Sequence, residues 1–383
     1  MSSSDSQPLI TTVIPTYRRP AMLRRAIRSV LNQTFPDFRI CVYDNASGDE
    51  TQAVVEEFRK KDSRVEYVCR PSNIGAHRNF VDGANRVETP LFSFLPDDDI
   101  LLPHFFETAL NGFRQHPEAA MSALATMLTS PDGTFVGSWV LRWPEGLIEP
   151  PRGLFSTLHY GDPCLQAMLI RRQIWEEFGG FDPTTEPCGD MDFSMRVTAR
   201  LPIVVSRKPG AIGSLHPGST TVRTELNSAW PGMCRMAEKL SQDESLCPEI
   251  RQRASEILTR WMKRSLVTRG IMRSISLGKW EDAERAADLL VQECRQSRGA
   301  RFIRGAIGTC RRFPGSPLLV RALFGMRAAE KTLLNLGMQW RFRSYSRFLR
   351  ASTLAASTAH LASAVPGTSE DGGAAVPQDI SAN

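Results

Sequence analysis

The chain of 383 residues contains eight cysteines but lacks any close Cys-x-x-Cys pair. Closely paired cysteines are typical of zinc sites, and dense cysteines in a short chain are typical of disulfide-stabilised secreted domains. Their absence argues against both classes of protein. The simpler expectation is that the cysteines are reduced and that the protein is cytoplasmic.

Long apolar runs are also lacking. The first six residues are mostly serine and have neither the basic flank nor the apolar core of a signal peptide, and residues 9–14 are too few to span a bilayer. We therefore expect neither a signal peptide nor a membrane span. An apolar content of 42% allows one large α/β domain with a helical appendage.

The first quarter of the chain alternates β-branched apolar runs with segments of helical periodicity. Strands are predicted at residues 9–14, 38–43, 65–68 and 90–95, with apolar side chains at helical spacing between them. Helices between successive strands form crossover connections, which lead to parallel strands. The predicted fold class is α/β, with a mainly parallel central sheet covered by helices on both faces.

A Gly-x-Gly-x-x-Gly turn is missing after the first strand, which argues against an ordinary dinucleotide site. Residues 15–18, Pro-Thr-Tyr-Arg, occupy that turn instead. Parallel sheets bind ligands beyond the carboxyl ends of their strands. Asp44, residues 73–79 and residues 97–99 all follow predicted strand ends, so the topology gathers them along one edge of the sheet.

Three adjacent carboxylates, Asp97, Asp98 and Asp99, follow the fourth predicted strand. Carboxylates held side by side repel one another and resist burial, so they either share a cation or have raised pKa values. Hard divalent ions with oxygen ligands are the usual partners. Taken alone, the triplet is equally typical of an exposed acidic turn that caps a helix. Its position beside the other strand ends favours the cation.

These segments resemble those of family 2 glycosyltransferases, which have the GT-A nucleotide-diphospho-sugar transferase fold. The similarity is dense over roughly the first 100 residues and thinner to about residue 225, and several motifs in the family's order are more specific than any one of them. The matching segments are residues 13–18, 29–34, 44–49, 73–75, 78–79 and 97–99.

The resemblance implies a GT-A domain over residues 1–228 and an enzyme that transfers a sugar with inversion. The donor would be a nucleoside diphosphate sugar, and the acceptor a glycan or lipid-linked glycan in cell-surface polysaccharide synthesis. His77, within the matching region, is expected to be an ordinary helix-surface residue. The donor-binding residues implied are Pro15, Thr16, Arg18, Asp44, Asn73, Gly75, Arg78 and Asp97.

Within that set, the resemblance places Asp44 on the nucleotide base and Asp97 on the ribose. The guanidinium of Arg18 suits phosphate oxygens because its planar fork matches them. The alternative for Arg18 and Arg19 is a pair of solvated loop charges. Gly75 suits a position with positive φ or a close approach of backbone to ligand.

The same resemblance implies a Mn²⁺ or Mg²⁺ ion held by Asp98, Asp99 and His216. The family's Asp-x-Asp motif begins at a position that Pro96 occupies here, so the alignment puts Asp98 on the ion and leaves Asp99 as a backup ligand or a supporting carboxylate. His216 lies in a loop similar to the one that closes around the diphosphate, and it either completes the metal site, contacts phosphate or is structural.

The acceptor hydroxyl needs a general base, and Asp190 is the candidate. It lies in residues 189–196, which resemble the family's Glu-Asp-x-Asp segment, although Gly189 replaces the first acid. A helix N-cap is the alternative role for Asp190. Asp192 is the alternate base, but its i,i+4 spacing to Arg196 is more typical of an ion pair.

Helical periodicity replaces the strand pattern after about residue 225, so residues 229–350 are predicted to be a helical region. Residues 301–350 contain eleven basic residues and one acidic residue, interleaved with apolar side chains. Such a segment suits an anionic bilayer at the inner face of the plasma membrane, and a solvated face that closes a core is the alternative. No nucleic-acid motif is present. Residues 351–383 are predicted to be disordered.

Two departures from the family pattern, Pro96 and Gly189, keep a second function open. The chain is then a nucleotide-sugar-binding protein that has lost turnover. A nucleotidyltransferase is a weaker third alternative, because the glycine-rich activation loop expected after the first strand is missing. The sequence identifies neither the sugar nor the acceptor.

Overall fold

A computed structural model describes residues 8–130, 133–216, 218–219, 226–293, 298–313 and 315–320. The predicted tail at 351–383 and the basic segment beyond residue 320 lie outside these ranges. None of the described helices is both long and apolar enough to cross a membrane.

The four predicted strands and the helices between them are confirmed. The first, second and fourth strands are short runs of mostly buried side chains, the third is only partly buried, and each helix presents its apolar stripe to the sheet. The elements are β1 (Ile10–Thr16), α1 (Pro20–Leu31), β2 (Phe38–Asp44), α2 (Thr51–Arg59), β3 (Val65–Cys69), α3 (Ala76–Asn85) and β4 (Leu91–Phe94).

The second half of the sheet domain adds further strands and helices. Single 3₁₀ turns at Leu165–Ala167 and Pro183–Thr185 precede β9 and α7. The elements are β5 (Ile100–Leu101), α4 (Phe105–Gln115), β6 (Met121–Thr129), β7 (Phe135–Trp139), β8 (Gly146–Ile148), α5 (Arg152–Tyr160), β9 (Met168–Arg171), α6 (Arg172–Glu177), α7 (Gly189–Thr198) and β10 (Ile203–Ser214).

These strands form one ten-stranded sheet in the order β3-β2-β1-β4-β9-β6-β10-β5, with β7 on β6 and β8 on β10. β3, β2, β1 and β4 are parallel, and β10 is parallel to β6, whereas β9 is antiparallel to both of its neighbours. The register pairs Thr16 with Asp44 at the carboxyl ends of β1 and β2. The sheet is therefore mixed but mostly parallel, and the predicted ligand edge lies where these strands end.

Both faces of the sheet are buried. One core packs α1, α2 and α4 against the sheet, and the core on the opposite face is aromatic, with Phe92, Phe94, Trp175, Phe181 and Phe193 in mutual ring contact. Trp175 donates from Nε1 to Asn85 Oδ1 at 2.8 Å. This aromatic cluster supports the turn between α6 and α7.

The described part of the C-terminal region is entirely helical up to residue 320. Its apolar faces form a third core that also includes Leu154 of α5 and Met191 and Met195 of α7. A domain boundary at residue 228 stays a prediction. The helices are α8 (Leu226–Ser241), α9 (Pro248–Ser265), a π-helical segment (Leu266–Met272), α10 (Arg273–Ser276), α11 (Trp280–Glu293) and α12 (Arg298–Arg312).

Helix α8 is fixed to the turn before α7. Lys239 Nζ lies 2.7 Å from Asp182 Oδ2 and 3.0 Å from Asp192 Oδ2, and Asp192 is only 1% exposed. Any side chain at Gly232 would collide with the carbonyl of Glu186. The C-terminal helices therefore hold the segment that carries Asp190.

Replacing Lys239 with Met should lower the free energy of unfolding by about 1–3 kcal/mol, because buried Asp192 loses one of its two cationic partners. Denaturant unfolding at pH 7 measures the change. The matched control is Arg235→Met on the same helix, since Arg235 pairs only with half-exposed Glu238 and should change stability by no more than about 0.5 kcal/mol. Equal effects of the two substitutions would contradict this role of Lys239.

Candidate active site

The acidic triplet is buried at the ligand edge. Asp97, Asp98 and Asp99 are 4%, 7% and 6% exposed, so the alternative of an exposed acidic turn is wrong. Thr16 Oγ1 donates to Asp97 Oδ2 at 2.7 Å. Arg19 Nη1 lies 3.0 Å from Asp97 Oδ1 and 2.9 Å from Asp98 Oδ2. One guanidinium thus bridges two carboxylates, as charge neutralisation of a buried pair requires.

Burial raises the pKa of two of these carboxyl groups, Asp97 and Asp99. It raises the pKa of Asp97 to about 6 against the opposing charge of Arg19. Burial, together with the charge of Asp98, also raises the pKa of Asp99 well above its ordinary value, although Asp99 Oδ1 accepts a hydrogen bond from the Ser214 amide at 2.8 Å. Asp97 and Asp99 are thus held in positions that disfavour their negative charge, which favours a cationic ligand.

His216 meets the triplet at Asp98. Its Nε2 lies 3.0 Å from Asp98 Oδ2, and its Nδ1 accepts from the Gly218 amide at 3.1 Å. In the neutral imidazole, Nε2 then carries the proton that Asp98 accepts. Direct metal ligation through Nε2 needs the other tautomer, in which Nδ1 is protonated.

The predicted metal ligands are only partly brought together. Within the described ranges, no group of three or more His, Cys, Asp or Glu side chains is arranged to hold a metal ion. Asp98 and His216 do meet, at the 3.0 Å separation of their ligand atoms, and neighbouring ligands of an octahedral ion are also about 3 Å apart when each bond is about 2.1 Å. Asp99 is instead bonded to β10. The two side chains present an oxygen and a nitrogen donor of the kinds that divalent ions bind.

Asp44 is held by hydrogen bonds at the end of β2. Its Oδ1 accepts from the amide of Ser47 at 2.9 Å and from Ser47 Oγ at 2.6 Å, and its Oδ2 accepts from the Tyr67 hydroxyl at 2.6 Å. The sequence pattern did not indicate that Ser47 and Tyr67 hold this carboxylate. Together they fix the carboxylate that the resemblance assigns to the nucleotide base.

The loop that carries Asn73 and Gly75 is tied to the end of β2. Asn45 donates from Nδ2 to Asn73 Oδ1 at 3.0 Å, and Asn45 Oδ1 accepts from the Ile74 amide at 2.8 Å. Gly75 has a φ of +87°, so the expectation of a positive φ is confirmed. Asn45 is therefore a supporting residue that the sequence interpretation missed.

The arginines of the edge divide into two groups. Arg18 is exposed, with a φ of +54°, and its Nε donates to the Ser47 carbonyl at 3.2 Å. Arg78 is also exposed. Arg19 is different, because it binds the triplet and donates from Nη2 to the Gly218 carbonyl at 2.6 Å. Interpreting Arg19 as a solvated charge is therefore wrong.

Asp190 is in the first turn of α7, whose N-cap is Cys188, so Asp190 is not the N-cap residue. Its Oδ1 accepts from the Met191 amide at 2.8 Å. Asp192 pairs with Arg196 at 2.8 Å, which confirms the predicted ion pair. Since Asp192 is fully buried and also bound to Lys239, Asp190 is the better placed of the two to meet a substrate.

A second carboxylate, Asp162, faces Asp190 from the loop after α5. Burial raises the pKa of both groups, and the charge of Asp190 raises that of Asp162 further. The pKa of the Cys164 thiol is raised by burial and then by the charges of Asp162, Asp99 and Asp190. The charges of carboxylates from three chain segments therefore act on one thiol. No pattern in the sequence predicted Asp162.

His77 lies against the same site. It is not the ordinary surface residue that was expected, because its Nε2 is buried and finds no hydrogen-bonding partner in the described structure. Its ring packs 6.1 Å from that of Phe181. Pro15 and Thr16 are buried beneath the edge, and Asn73 and Gly75 are exposed above it.

Comparisons with known proteins concern the family and the fold of the chain. The family model described as glycosyl transferase family 2 matches residues 11–179. A Campylobacter jejuni GalNAc(5)-diNAcBac-PP-undecaprenol beta-1,3-glucosyltransferase is 34% identical over 104 residues, which are 27% of this chain and 34% of the relative. The putative teichuronic acid biosynthesis glycosyltransferase TuaG of Bacillus subtilis is 26% identical over 167 residues, covering 44% and 64%. The chain thus spans less than two thirds of either relative.

Among solved structures, residues 1–349 of S. aureus TarS in complex with UDP-GlcNAc superpose with a TM-score of 0.59 at 17% identity. The match covers 74% of this chain and 81% of TarS. At that identity the similarity establishes the fold alone, which is the predicted GT-A fold.

The pair formed by Asp162 and Asp190 predicts a pH-dependent stability. A carboxyl whose folded-state pKa is raised stabilises the protein only below its unfolded-state pKa, and the contribution is lost as pH rises through the folded-state value. Asp162→Asn should therefore reduce the loss of unfolding free energy between pH 4 and pH 8. The control is Asp37→Asn, an exposed carboxylate. Identical pH dependence in all three proteins would contradict the raised pKa.

Proposed function

We propose that the protein transfers a sugar from a nucleoside diphosphate donor to a glycan or lipid-linked glycan, because residues 11–179 of this chain belong to glycosyltransferase family 2. The observation that carries the proposal is the buried triplet at the carboxyl ends of the parallel strands, with Arg19 and His216 bound to it. It supplies a place for a diphosphate with its counter-ion, and Asp190, whose pKa burial raises, is the candidate base.

The donor nucleotide lies along the carboxyl ends of β1, β2 and β4. Asp44 receives the base, since its carboxylate is already oriented by Ser47 and Tyr67. Asp97 receives the ribose hydroxyls, and Thr16 orients it. Arg18 and Arg78 are exposed at the rim, where guanidinium groups bind phosphate oxygens.

Asp98 and His216 would hold a Mn²⁺ or Mg²⁺ ion, and Asp99 would be the supporting carboxylate next to them. When bound, the ion neutralises the charge that develops on the departing diphosphate. Arg19 contributes a permanent positive charge at the same carboxylates. The protein thus supplies part of the positive charge itself, so the negative phosphates enter a site in which a compensating charge is already in place.

Asp190 takes the proton from the acceptor hydroxyl as its oxygen attacks the anomeric carbon. The bond to the anomeric carbon forms on the face opposite the diphosphate, and the pair of electrons of the broken bond leaves with the β-phosphate oxygen. No covalent enzyme intermediate is needed, and the configuration inverts. A base whose pKa is raised by burial accepts a proton more readily than an ordinary aspartate.

Two substitutions separate metal binding from proton transfer. Asp98→Asn should abolish the Mn²⁺-dependent rise in melting temperature produced by UDP or GDP, because the ion loses its carboxylate. Asp190→Asn should retain that rise but lower turnover by about 10²- to 10⁴-fold, as loss of a general base does. Release of nucleoside diphosphate from a panel of nucleotide sugars measures turnover, and Asp37→Asn is the control.

The same measurements decide between the alternatives. Nucleotide binding by the unmodified chain without turnover of any donor favours the binding protein that has lost activity. Full activity of both Asp98→Asn and Asp190→Asn contradicts the assignment of the site.

We also propose that α12 and the residues after it dock on an anionic bilayer, where a lipid-linked acceptor resides. Phe302, Phe313, Leu318 and Leu319 are 76%, 62%, 66% and 63% exposed, and the segment around them is basic. Burying these four side chains in a lipid interface recovers apolar surface that water now covers. Some charges do serve packing, since Arg311 pairs with Glu284 at 3.5 Å.

Replacing Phe302, Leu318 and Leu319 together with Ser should reduce co-sedimentation with vesicles containing phosphatidylglycerol and leave binding to neutral vesicles weak. Added salt should weaken the binding of the unmodified chain, because anionic lipids attract its basic residues. Leu277→Ser is the control, since Leu277 is 54% exposed and lies between α10 and α11. Negligible binding by all proteins would contradict membrane docking.

A further inference from the structure

Gly189 occupies the position at which the acidic segment of the base departs from the expected pattern. A Cβ at this residue would lie 2.8 Å from His77 Cε1 and 3.1 Å from Phe181 Cβ. Real side chains do not approach so closely, so residue 189 is small because the imidazole of His77 fills the space beside it. The two residues are complementary in size.

His77 reaches this space from the donor loop. Helix α3 begins directly after Gly75, whose positive φ turns the chain so that residue 77 faces the α7 segment. Asn73, Gly75 and Arg78 of this loop are the proposed donor contacts. His77 is therefore a physical connection between the donor loop and the turn that carries the proposed base.

Packing alone does not account for an imidazole at this position. Its Nε2 is buried without a hydrogen-bonding partner in the described parts of the chain, which costs about 1–3 kcal/mol for a buried polar atom. A Leu or Met side chain would fill the same space against Phe181 without that cost. The polar, chargeable ring calls for an electrostatic reason.

That reason is the carboxylate of Asp190. Burial raises the pKa of Asp190, whereas backbone hydrogen bonds and then the imidazole of His77 lower it. The charge of Asp190 raises the pKa of Asp162, and the ring of His77 packs against residue 189, directly before Asp190. The other titratable groups of the site are Cys164 before β9, Cys188 before α7 and Arg269 of the π-helical segment, which acts on Cys188.

We propose that His77 is a positioning residue for Asp190. Its imidazole, for which Gly189 leaves space, holds the carboxylate in its ionised form and at a fixed position relative to the donor loop. This inference rests on the proposed role of Asp190 as the general base. An acidic residue at position 189 would not give Asp190 this support, since a second carboxylate there would oppose the ionisation of Asp190. His77 of α3 gives it instead.

The first test removes the chargeable imidazole ring of His77 and keeps most of the side-chain volume. His77→Gln should shift the acid limb of the pH profile of kcat/KM to higher pH, so that activity falls more at pH 6 than at pH 9 relative to the unmodified enzyme. His104→Gln, at a histidine side chain that is 73% exposed, is the control and should leave the profile unchanged.

The second test uses the size complementarity. Gly189→Ala alone should lower both the melting temperature and turnover, because its methyl group collides with the imidazole. The double variant Gly189→Ala with His77→Ala should recover melting temperature, because the ring is gone, yet show the same shift of the acid limb as His77→Gln. It therefore gives a second measure of the shift if His77→Gln fails to fold.

The outcomes separate the two proposals. If Asp190→Asn abolishes turnover while His77→Gln and the double variant keep the unmodified acid limb, the role of His77 is wrong and the proposed base stands. If Asp190→Asn remains fully active, the proposed base is wrong. Failure of His77→Ala to rescue Gly189→Ala contradicts the size complementarity.

Discussion

Burial of three adjacent carboxylates at the end of β4 is the constraint on which the site depends. Removing Asp97, Asp98 and Asp99 from water is unfavourable unless positive charge or donors meet them, and Arg19, Thr16 and the Ser214 amide do so. These partners come from β1, the loop after it and β10. The triplet therefore fixes the relative positions of strands that are distant in sequence, at the site where we propose that a diphosphate and its cation bind.

The segment that carries Asp190, the proposed general base, is fixed by a different set of contacts. Lys239 of α8 binds Asp182 and Asp192 on either side of Asp190, and the backbone of α8 packs against Glu186. The C-terminal helices thus act on the chemistry indirectly, by holding the segment before α7 against the aromatic core of the sheet domain. A transferase needs this rigidity because a base displaced by about 1 Å loses much of its effect.

The sequence predicted the sheet edge well and its supporting residues poorly. Period-two and helical patterns located β1 to β4, and topology alone gathered Asp44, the Asn73 loop and the triplet. Arg18 and Arg19 could not be distinguished from the sequence, because the positive φ of Arg18 decides which of the two turns inward. Asp162, Tyr67 and Lys239 reach the site only through tertiary packing, which no local pattern encodes.

The two departures from the family pattern have local physical reasons, which argues against the loss of activity as their cause. The Pro96 carbonyl accepts from the Asp99 amide at 3.1 Å, forming the tight turn that buries all three carboxylates. Gly189 makes room for the imidazole of His77 from α3. A site that had lost its function would have no need to keep a buried imidazole nitrogen without a hydrogen-bonding partner in the described structure, next to a carboxylate with a raised pKa. Such unfavourable groups cluster at functional sites.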